Sequence, residues 1–593
     1  MSLDNKGSKK KIPKKKVRVI KKKPVAVFGI VAAVAIAGII GGITIFLYSP
    51  EEKIIYISFT DLAAAQSGID PLITWVPADY EILNQVAEGL FTHDSANQQS
   101  QIIHNLAINH WRNDNATEYT FELRQGVQFH DGTLFNAAVV QWNIDRIYTL
   151  IENGKMHFTS KQFWLFSDGT WIINRTEIIN NYNIKFVLNK PYIPLTALLA
   201  SVNSFMVSPT STPQNDFIPL NGTLIGTGPY LYDVWNKDYN LVLSSNPNYW
   251  GGKPQIDKLI FKDYVTPEDK FEALISGELS MLSGYNEIHS HGHYWDSLGI
   301  YDNDVLNTFM NDPDIIVEEG PSATYFEYLL MNNELINATM RKAISYACNY
   351  SAYIDKWLSG HGMRLRSPIP EGILYSNSTG IDVPYYNISI ARQTLKEVNW
   401  NGLASALPAD DNISAGNEWE QLIIDGTPLA TYNFTYISGM LNGIVFLNIT
   451  KENLRQIGVK VEAVPLSPGE YIQIFWETPP YHLNMIELSH MGYITRFNDP
   501  CSIINILCSN KALDLNYCQI NDTLVQQWME EALGETNEAI REQLYYQIQK
   551  RLIEEVFPMC YLIARNCFKI YRSNLKDFEF NHFNPVYKDI YFI

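Results

Sequence analysis

The sequence predicts an α/β protein of two or more folded units that follow a transmembrane helix. Its charge is unevenly divided: residues 1–24 hold eleven basic residues and one acidic residue, whereas the chain after residue 47 holds 34 basic and 62 acidic residues. Residues 25–47, between these parts, carry no charge. Strand-like and helix-like patterns then alternate over roughly 540 residues, enough for two or more domains. Because the strongly acidic body repels phosphate, nucleic acid is excluded as its partner.

The uncharged run of residues 25–47 predicts an uncleaved membrane anchor. A helix rises about 1.5 Å per residue, so about 20 residues cross the hydrocarbon core. A cleaved signal peptide is the alternative, but its apolar region is shorter, roughly 7–15 residues, and residues 47–52 make a poor cleavage site. The basic head, residues 1–24, places the N-terminus in the cytoplasm. After a short stalk, residues 48–53, the body is expected outside the cell membrane, which the chain crosses once.

Two further features fit an extracellular body. The six cysteines form no Cys-x-x-Cys pair, and their even number permits disulfides in an oxidising compartment. Cys508 and Cys518 lie in one predicted loop and are the first candidate pair, with free buried thiols as the alternative. Asn-x-Ser/Thr acceptors of N-glycosylation also recur, although an Asn-rich chain supplies several by chance. They stand at Asn115, Asn174, Asn221, Asn337, Asn349, Asn377, Asn387, Asn412, Asn433, Asn448 and Asn521.

The order of the predicted elements supports the α/β assignment. Apolar residues alternate as in a strand, or recur at the three- and four-residue spacing of a helix. Strands are predicted at residues 54–59, 119–123, 184–188, 241–244 and 259–261, and helices at 79–90, 338–350, 389–398 and 537–556. Asn537 is the expected N-cap of the last helix.

A search for catalytic motifs gives little support to an enzyme. The sequence has no Gly-x-Ser-x-Gly, His-Glu-x-x-His, phosphate-binding loop or dinucleotide-binding motif, and no cofactor is expected. A pair of glycosidase carboxylates stays open, because acidic residues are plentiful. His289, His291 and His293 would share one face of an extended segment and are a weak candidate site for zinc, copper or nickel. A polar surface loop is the simpler interpretation, since no acid or Cys at matching spacing completes such a site.

Six segments carry a family pattern when they are taken in order. They are Asp70-Pro71 with residues 86–91, residues 121–133, residues 226–230, residues 246–254, residues 341–347, and residues 498–500 with 516–517. Together they resemble the family 5 extracellular solute-binding proteins of ABC importers, the oligopeptide- and dipeptide-binding type. Locally they indicate scaffold: Gln125-Gly126 and Asp131-Gly132 bracket a hairpin, and Gly226 and Gly228 indicate close backbone approach.

The resemblance implies a two-lobed fold with a ligand cleft, the large peptide-binding class of the type II periplasmic-binding-protein-like fold. Lobe I would be residues 54–265 plus 568–593, with an inserted subdomain at about 92–210, and lobe II would be residues 266–567. The implied protein is a receptor and not an enzyme. It would capture an oligopeptide or similar polar solute by hinge closure and deliver it to an ABC transporter permease.

The expected protein is a membrane-anchored, archaeal and monomeric member of that family. An oligosaccharide or an anionic solute is the alternative ligand. A surface hydrolase is less favoured, and so is a chemosensor, because the 24 residues inside the cell are too few for a signalling domain.

One segment departs from the family pattern. Relatives carry Trp-Gly-x-Asp-Tyr-x-Asp-Pro, in which the first Asp holds the α-ammonium group of a peptide; residues 493–500 place Arg496 at that position. A guanidinium repels an ammonium group and prefers carboxylate or phosphate. The ligand would then be anionic or neutral there, or Arg496 would pair with a neighbouring acid such as Asp499 or Glu487. The candidate cleft residues, chosen by position, are Asp70, Trp75, Asp79, Tyr285, Asn286, Asn332, Asn333, Tyr493, Arg496 and Asp499.

Overall fold

The structure is a computed structural model that describes residues 51–59, 69–73, 77–94, 101–156, 161–219, 222–236, 240–264, 266–283, 302–410, 413–477, 485–510, 515–578, 583 and 585–593. The predicted membrane segment lies outside these residues. So do the candidates Trp75, Tyr285, Asn286, His289, His291 and His293. Within the described part of the chain, no helix combines the length and the apolar character needed to cross a bilayer.

The first half of the body contains ten strands and three helices in its described residues. In chain order these are β1 (Ile54–Phe59), α1 (Pro77–Val86), β2 (Phe91–His93), β3 (Ile102–His104), β4 (Ala107–Arg112), β5 (Glu118–Leu123), α2 (Ala137–Glu152), β6 (Ile173–Asn180), β7 (Asn183–Leu188), α3 (Leu195–Leu198), β8 (Tyr230–Asn236), β9 (Asn240–Ser245) and β10 (Lys258–Asp263).

The second half contains a longer series of helices and the two longest strands. In chain order these are α4 (Pro267–Ser276), α5 (Asn303–Met310), β11 (Ile315–Met331), α6 (Ala338–Ala347), α7 (Tyr350–Leu358), β12 (Gly362–Arg364), α8 (Ile388–Glu397), α9 (Ile413–Ile424), β13 (Ala430–Ile437), α10 (Leu441–Arg455), β14 (Val459–Leu466), α11 (Pro468–Ile472), β15 (Leu488–Ile494), α12 (Cys501–Cys508), α13 (Thr523–Gly534), α14 (Glu538–Arg551), β16 (Met559–Arg572), β17 (Leu575–Lys576) and β18 (Tyr591–Phe592).

Two large sheets define the two lobes. Lobe I is built on a four-stranded sheet of order β1-β10-β9-β8, and lobe II on a six-stranded sheet of order β12-β16-β11-β15-β13-β14. In lobe I, β1 runs parallel to β10, and α1 packs its buried residues Leu83 and Val86 into the same core as Ile57 and Phe261. In lobe II, the long strands β11 and β16 pair antiparallel at the centre of the sheet.

An inserted subdomain extends lobe I. Its sheet has the order β4-β5-β7-β6 and is antiparallel throughout. Helix α2 covers this sheet, and the Asn136 side chain caps the helix by accepting the N–H groups of Ala138 and Val139. Such a cap satisfies donors that have no partner within the helix.

A short connecting segment, residues 280–282, joins the two large sheets; we call it the joint segment. The N–H of Ser58 in β1 donates to the carbonyl of Met281 at 3.1 Å. On its other side, the N–H of Leu282 donates to the backbone carbonyl of Ile570 in β16 at 2.9 Å, and the N–H of Arg572 in β16 donates to the backbone carbonyl of Ser280 at 2.8 Å. The joint segment therefore lies as an extra strand between lobe I and lobe II.

The predicted strands are confirmed, and two of the predicted helices, those at residues 79–90 and 338–350, end or break earlier than expected. Helix α1 ends at Val86 instead of residue 90. The helix predicted at 338–350 is two helices, because Asn349 leaves the helical conformation and its side chain caps α7 by accepting the N–H of Ala352. Asn537 caps α14 as expected, and the final turn, Leu552–Val556, is π-helical.

The structure shows no bond between Cys508 and Cys518, and their pairing stays a prediction. All six cysteines are described, and each is a buried free thiol, so Cys508 and Cys518 are not bonded in this structure. Burial raises the pKa of both thiols, that of Cys518 to about 12. A neutral buried thiol is a weak nucleophile and packs as a small apolar group. The lobe boundaries given by residue number stay a prediction.

Candidate ligand-binding site

The two lobes meet where the start of helix α1 faces the loop after strand β15. Arg496, in that loop, lies with its guanidinium carbon 5.7 Å from the centre of the Tyr80 ring and donates a hydrogen bond to the Tyr80 hydroxyl. Burial raises the pKa of Tyr80, and the positive charge of Arg496 opposes that rise. A cation of lobe II is thus held against an aromatic ring of lobe I.

Asp79 lies at the same place and brings a negative charge to it. The side chain is buried in the first turn of α1, and its charge helps to raise the pKa of Tyr80. Of the residues chosen from the sequence, the structure therefore brings Asp79 and Arg496 together, around Tyr80. Tyr80 was missed, although it follows Asp79 directly; a polar aromatic residue beside a candidate acid was the available signal.

Tyr493 also belongs to this region, at the end of β15. Its hydroxyl donates to the carbonyl of Ser502 at 2.5 Å, and its ring centre is 5.8 Å from that of Phe326. Burial raises the pKa of Tyr493, and the nearby Arg496 charge works against this. Tyr493 thus contributes an aromatic ring held by a hydrogen bond, beside the guanidinium.

Glu81 connects the site to the joint segment and was not predicted. Its carboxylate is fully buried and accepts hydrogen bonds from the hydroxyls of Ser283, just after the joint segment, and of Tyr587, near the C-terminus. The N–H of Ser283 in turn donates to the Ser58 hydroxyl at 3.1 Å. Burial raises the pKa of Glu81 to about 7, although both hydroxyl hydrogen bonds lower it.

A second line of contact links the inserted subdomain to lobe II. The rings of Phe163 and Phe497 meet edge to face with centres 5.9 Å apart. The N–H of Ile193 donates to the carbonyl of Leu533 at 2.8 Å. Since Phe497 follows Arg496 directly, one loop of lobe II contacts lobe I through two neighbouring residues.

The structure places the predicted cleft residues Asp70 and Asp499 in buried ion pairs, and their contact with a ligand stays a prediction. Asp70 is fully buried, forms an ion pair with Arg146 and accepts the N–H of Ile218 at 2.9 Å. Asp499 is buried and pairs with Arg541 at 2.9 Å. In this structure both carboxylates are enclosed with their counter-ions.

Asn332 and Asn333 likewise hold loops together. Asn332 is fully buried and donates from Nδ2 to the carbonyl of Ile486 at 2.9 Å. Asn333 donates from Nδ2 to the carbonyl oxygen of Cys518 at 2.7 Å and to that of Pro558 at 3.1 Å. Both amides therefore fix the end of strand β11, and their contact with a ligand stays a prediction.

The remaining candidates stay predictions, since they lie outside the described residues. Among the residues that are described, no group of three or more His, Cys, Asp or Glu side chains is arranged to hold a metal ion.

The sequence of this chain matches a known protein family. Residues 101–513 match the family model described as bacterial extracellular solute-binding proteins, family 5 Middle. The chain belongs to this family. A member of the family is a solute-binding receptor, and its members are binding proteins of ABC transporters.

Curated relatives and solved structures cover most of this family 5 chain. The probable D,D-dipeptide-binding periplasmic protein DdpA of Escherichia coli is 23% identical over 539 residues, 88% of this chain and 90% of the relative. The glutathione-binding protein GsiB of Pectobacterium atrosepticum is 25% identical over 417 residues, 68% of each chain. The periplasmic binding protein DppA of Helicobacter pylori, solved with the peptide STSA, has a TM-score of 0.70 at 19% identity and covers 91% of this chain and 98% of its own. NikA from Brucella suis, solved with Fe(III)-EDTA, has a TM-score of 0.72 at 19% identity, with 91% and 100% covered. These likenesses show the two-lobed α/β fold.

Proposed function

We propose that this receptor captures a peptide or a similarly sized polar solute between its lobes and delivers it to an ABC import permease. The carrying observation is the contact of Arg496 in lobe II with Tyr80 in lobe I. A residue pair that spans the two lobes is the kind of contact a solute would extend or replace. The relatives named for dipeptides and glutathione support this solute class.

The proposed mechanism is closure of the lobes around the solute. A ligand shifts the equilibrium towards the closed state only if it makes contacts there that the open state lacks. Groups from both lobes gather around Tyr80, so a solute bound at this place would touch both. Binding and release would then need no bond chemistry, which agrees with a receptor and not an enzyme.

Arg496 favours a solute that presents a carboxylate. A guanidinium binds a carboxylate with two parallel charge-assisted hydrogen bonds, whereas it repels an ammonium group. The C-terminal end of a peptide has this chemistry, and so does a small anionic solute, which is the second candidate. Arg496 would exchange the Tyr80 hydroxyl, a neutral partner, for a charged one.

The attachment to the membrane is part of the proposal. Residues 25–47 have the length and the uncharged character of an anchor, and the basic head favours a cytoplasmic N-terminus. A body tethered at the outer face would meet its permease at a raised local concentration. N-glycosylation, a monomeric state and an archaeal source stay predictions.

The test is a thermal-shift screen of the purified full-length protein against short peptides, each with a free or an amidated C-terminus. We expect a free-acid peptide to raise the Tm and its amidated form to do so less. Arg496→Gln should weaken binding of the free acid by about 10- to 100-fold, since a charged hydrogen bond contributes about 1.5–3 kcal/mol.

Arg455→Gln is the matched control, because Arg455 forms a surface ion pair with Glu420 that contributes little. The proposed capture of peptides is wrong if no member of the library raises the Tm. If the Arg496→Gln variant binds the free-acid peptide as tightly as the unmodified protein does, and keeps the same preference over the amidated form, Arg496 is not part of the site.

A further inference from the structure

Two histidines meet where the two-stranded sheet β2-β3 approaches the inserted subdomain. His104 lies in β3 and His110 in β4, and the Nε2 atom of His104 is 3.0 Å from the Nδ1 atom of His110. Strand pairing sets both positions, since His104 lies opposite Phe91 and His110 lies opposite Phe121. The centre of the Phe91 ring is 5.3 Å from that of each imidazole. Two imidazole nitrogens from different sheets are therefore held close together.

The distance of 3.0 Å between these nitrogens suits two ligands of one metal ion. Bonds from zinc to imidazole are about 2.0–2.1 Å long, and two bonds of this length to nitrogens so separated enclose an angle of about 95°. A tetrahedral zinc ion opens that angle to about 109° and would hold the nitrogens about 3.3 Å apart. The narrower angle is typical of the square-planar or tetragonal coordination that Cu(II) and Ni(II) adopt.

The surroundings of His104 supply space and negative charge for a cation. His104 lines a cavity of about 650 Å³, which has room for the waters that would fill the other coordination positions. The same cavity is lined by the acids Glu88, Asp94, Asp577 and Asp589 and by the bases Lys253 and Lys588. Acidic residues therefore outnumber basic residues around the cavity, and such a lining attracts cations.

This cavity is distinct from the proposed solute site. Its wall includes Asn84, near the end of helix α1, and Ala87, just after that helix. Tyr80 meets Arg496 at the start of the same helix. The seven residues from Tyr80 to Ala87 correspond to about 10 Å of helix rise, so a ligand of one site does not occupy the other.

We propose that His104 and His110 bind a Cu(II) or Ni(II) ion at the edge of this cavity, and that the ion fastens the sheet β2-β3 to the sheet of the inserted subdomain. Both rings bind as neutral imidazoles, one through Nε2 and the other through Nδ1. The ring that now donates the hydrogen bond moves that proton to its other nitrogen, so no net proton is released. The inference does not depend on which solute the receptor captures.

The ionisation of His110 favours metal binding, whereas one nearby charge opposes it. Burial lowers the pKa of His110, and the charges of His104 and Arg112 lower it further; a neutral imidazole is the form that binds a metal. Arg112 also repels a cation, although it is exposed and donates to the carbonyl of Asn113 at 3.4 Å. With two protein ligands, the site should bind its ion more weakly than a structural site of four ligands and should exchange it.

The test is calorimetric titration of Cu(II) and of Ni(II) into the full-length protein, purified without a polyhistidine tag and in a buffer that does not chelate metals. His104→Gln and His110→Gln should each weaken binding by more than about 10-fold, since loss of a residue that merely orients a ligand typically costs about 10- to 100-fold. Mg(II), which prefers oxygen ligands, should show no difference between the unmodified protein and either variant.

The matched control is the triple variant His289→Gln, His291→Gln and His293→Gln, which removes the other group of histidines considered for a metal. It should keep one site of unchanged affinity, and electron paramagnetic resonance of its Cu(II) complex should show two nitrogen ligands. Unchanged affinity in both single variants would overturn the proposal, and so would loss of all binding in the triple variant. If a single variant does not fold, the resonance spectrum decides, because fewer than two nitrogen ligands contradicts the assignment.

Discussion

Glu81 makes the stability of the protein depend on pH in a direction opposite to that of most carboxylates. Its pKa is about 7 in the folded protein, against an ordinary value of 4.5. Between these two pH values the folded protein keeps a proton that the unfolded chain has released. Stability therefore falls as the pH rises through this range, and the contribution is fully present only below about pH 4.5. Replacement by glutamine keeps the shape and removes the titration.

The size of the effect follows from the shift. A difference of one pH unit in pKa corresponds to 1.36 kcal/mol, so a rise from 4.5 to about 7 corresponds to about 3 kcal/mol of unfolding free energy. Glu81→Gln should match the unmodified protein near pH 4.5 and be more stable by up to about 3 kcal/mol at pH 8. The hydroxyls of Ser283 and Tyr587 donate hydrogen bonds to the Glu81 carboxylate, and a neutral amide oxygen accepts such bonds less strongly, which reduces this gain.

The assay is urea unfolding of both proteins at pH 4.5 and pH 8, followed by tryptophan fluorescence. The quantity to compare is the difference in unfolding free energy between the variant and the unmodified protein at each pH. The contributions of all other titrating groups are the same in both proteins and cancel in this difference. Glu542→Gln, at an exposed position of α14, is the matched control for the replacement of a glutamate by a glutamine. A difference for Glu81→Gln that is the same at both pH values would refute the buried, proton-retaining carboxyl.

Two further predictions concern packing and the buried ion pairs. A Cβ on Gly226 would lie 2.1 Å from the carbonyl oxygen of Val86. Gly226→Ala should therefore lower the unfolding free energy by about 1–3 kcal/mol or more, measured by urea unfolding. Gly469→Ala is the control, because a Cβ there would meet open space, and it should change the urea midpoint little. Asp499→Ala leaves the buried Arg541 without its counter-ion and should cost about 3–5 kcal/mol; adding Arg541→Met should recover part of that loss, and equal midpoints for the single and double variants would contradict this.

The sequence predicted backbone features better than the roles of charged side chains. The spacing of apolar residues located β1, β5, β7, β9 and β10, because burial of one face imposes that spacing directly. The expected close approach at Gly226 is present against the end of α1. Such features depend on nearby residues or on the absence of a side chain, and both are visible in the sequence.

The acids of the candidate site could not be sorted in the same way. Asp70 and Asp79 lie close together in the sequence, yet Asp70 is enclosed with Arg146 and Asp79 lies beside Tyr80 at the meeting of the lobes. The two acids differ in environment because Arg146, 76 residues after Asp70 in the sequence, forms an ion pair with Asp70. Tertiary packing alone makes that choice, and for the same reason Glu81 and its partners were missed.

The joint segment limits how the receptor can open. Because residues 280–282 bond to β1 on one side and to β16 on the other, a continuous pleated ribbon runs from one lobe into the other. Neighbouring strands in a sheet differ in direction by about 20–25°, and a change in this twist bends hydrogen bonds without breaking them. A small rotation of the lobes therefore costs little free energy. A wide opening would break several backbone hydrogen bonds, each contributing about 1 kcal/mol. The lobes are therefore expected to open and close by twisting about this ribbon, and its backbone hydrogen bonds limit how far they can rotate.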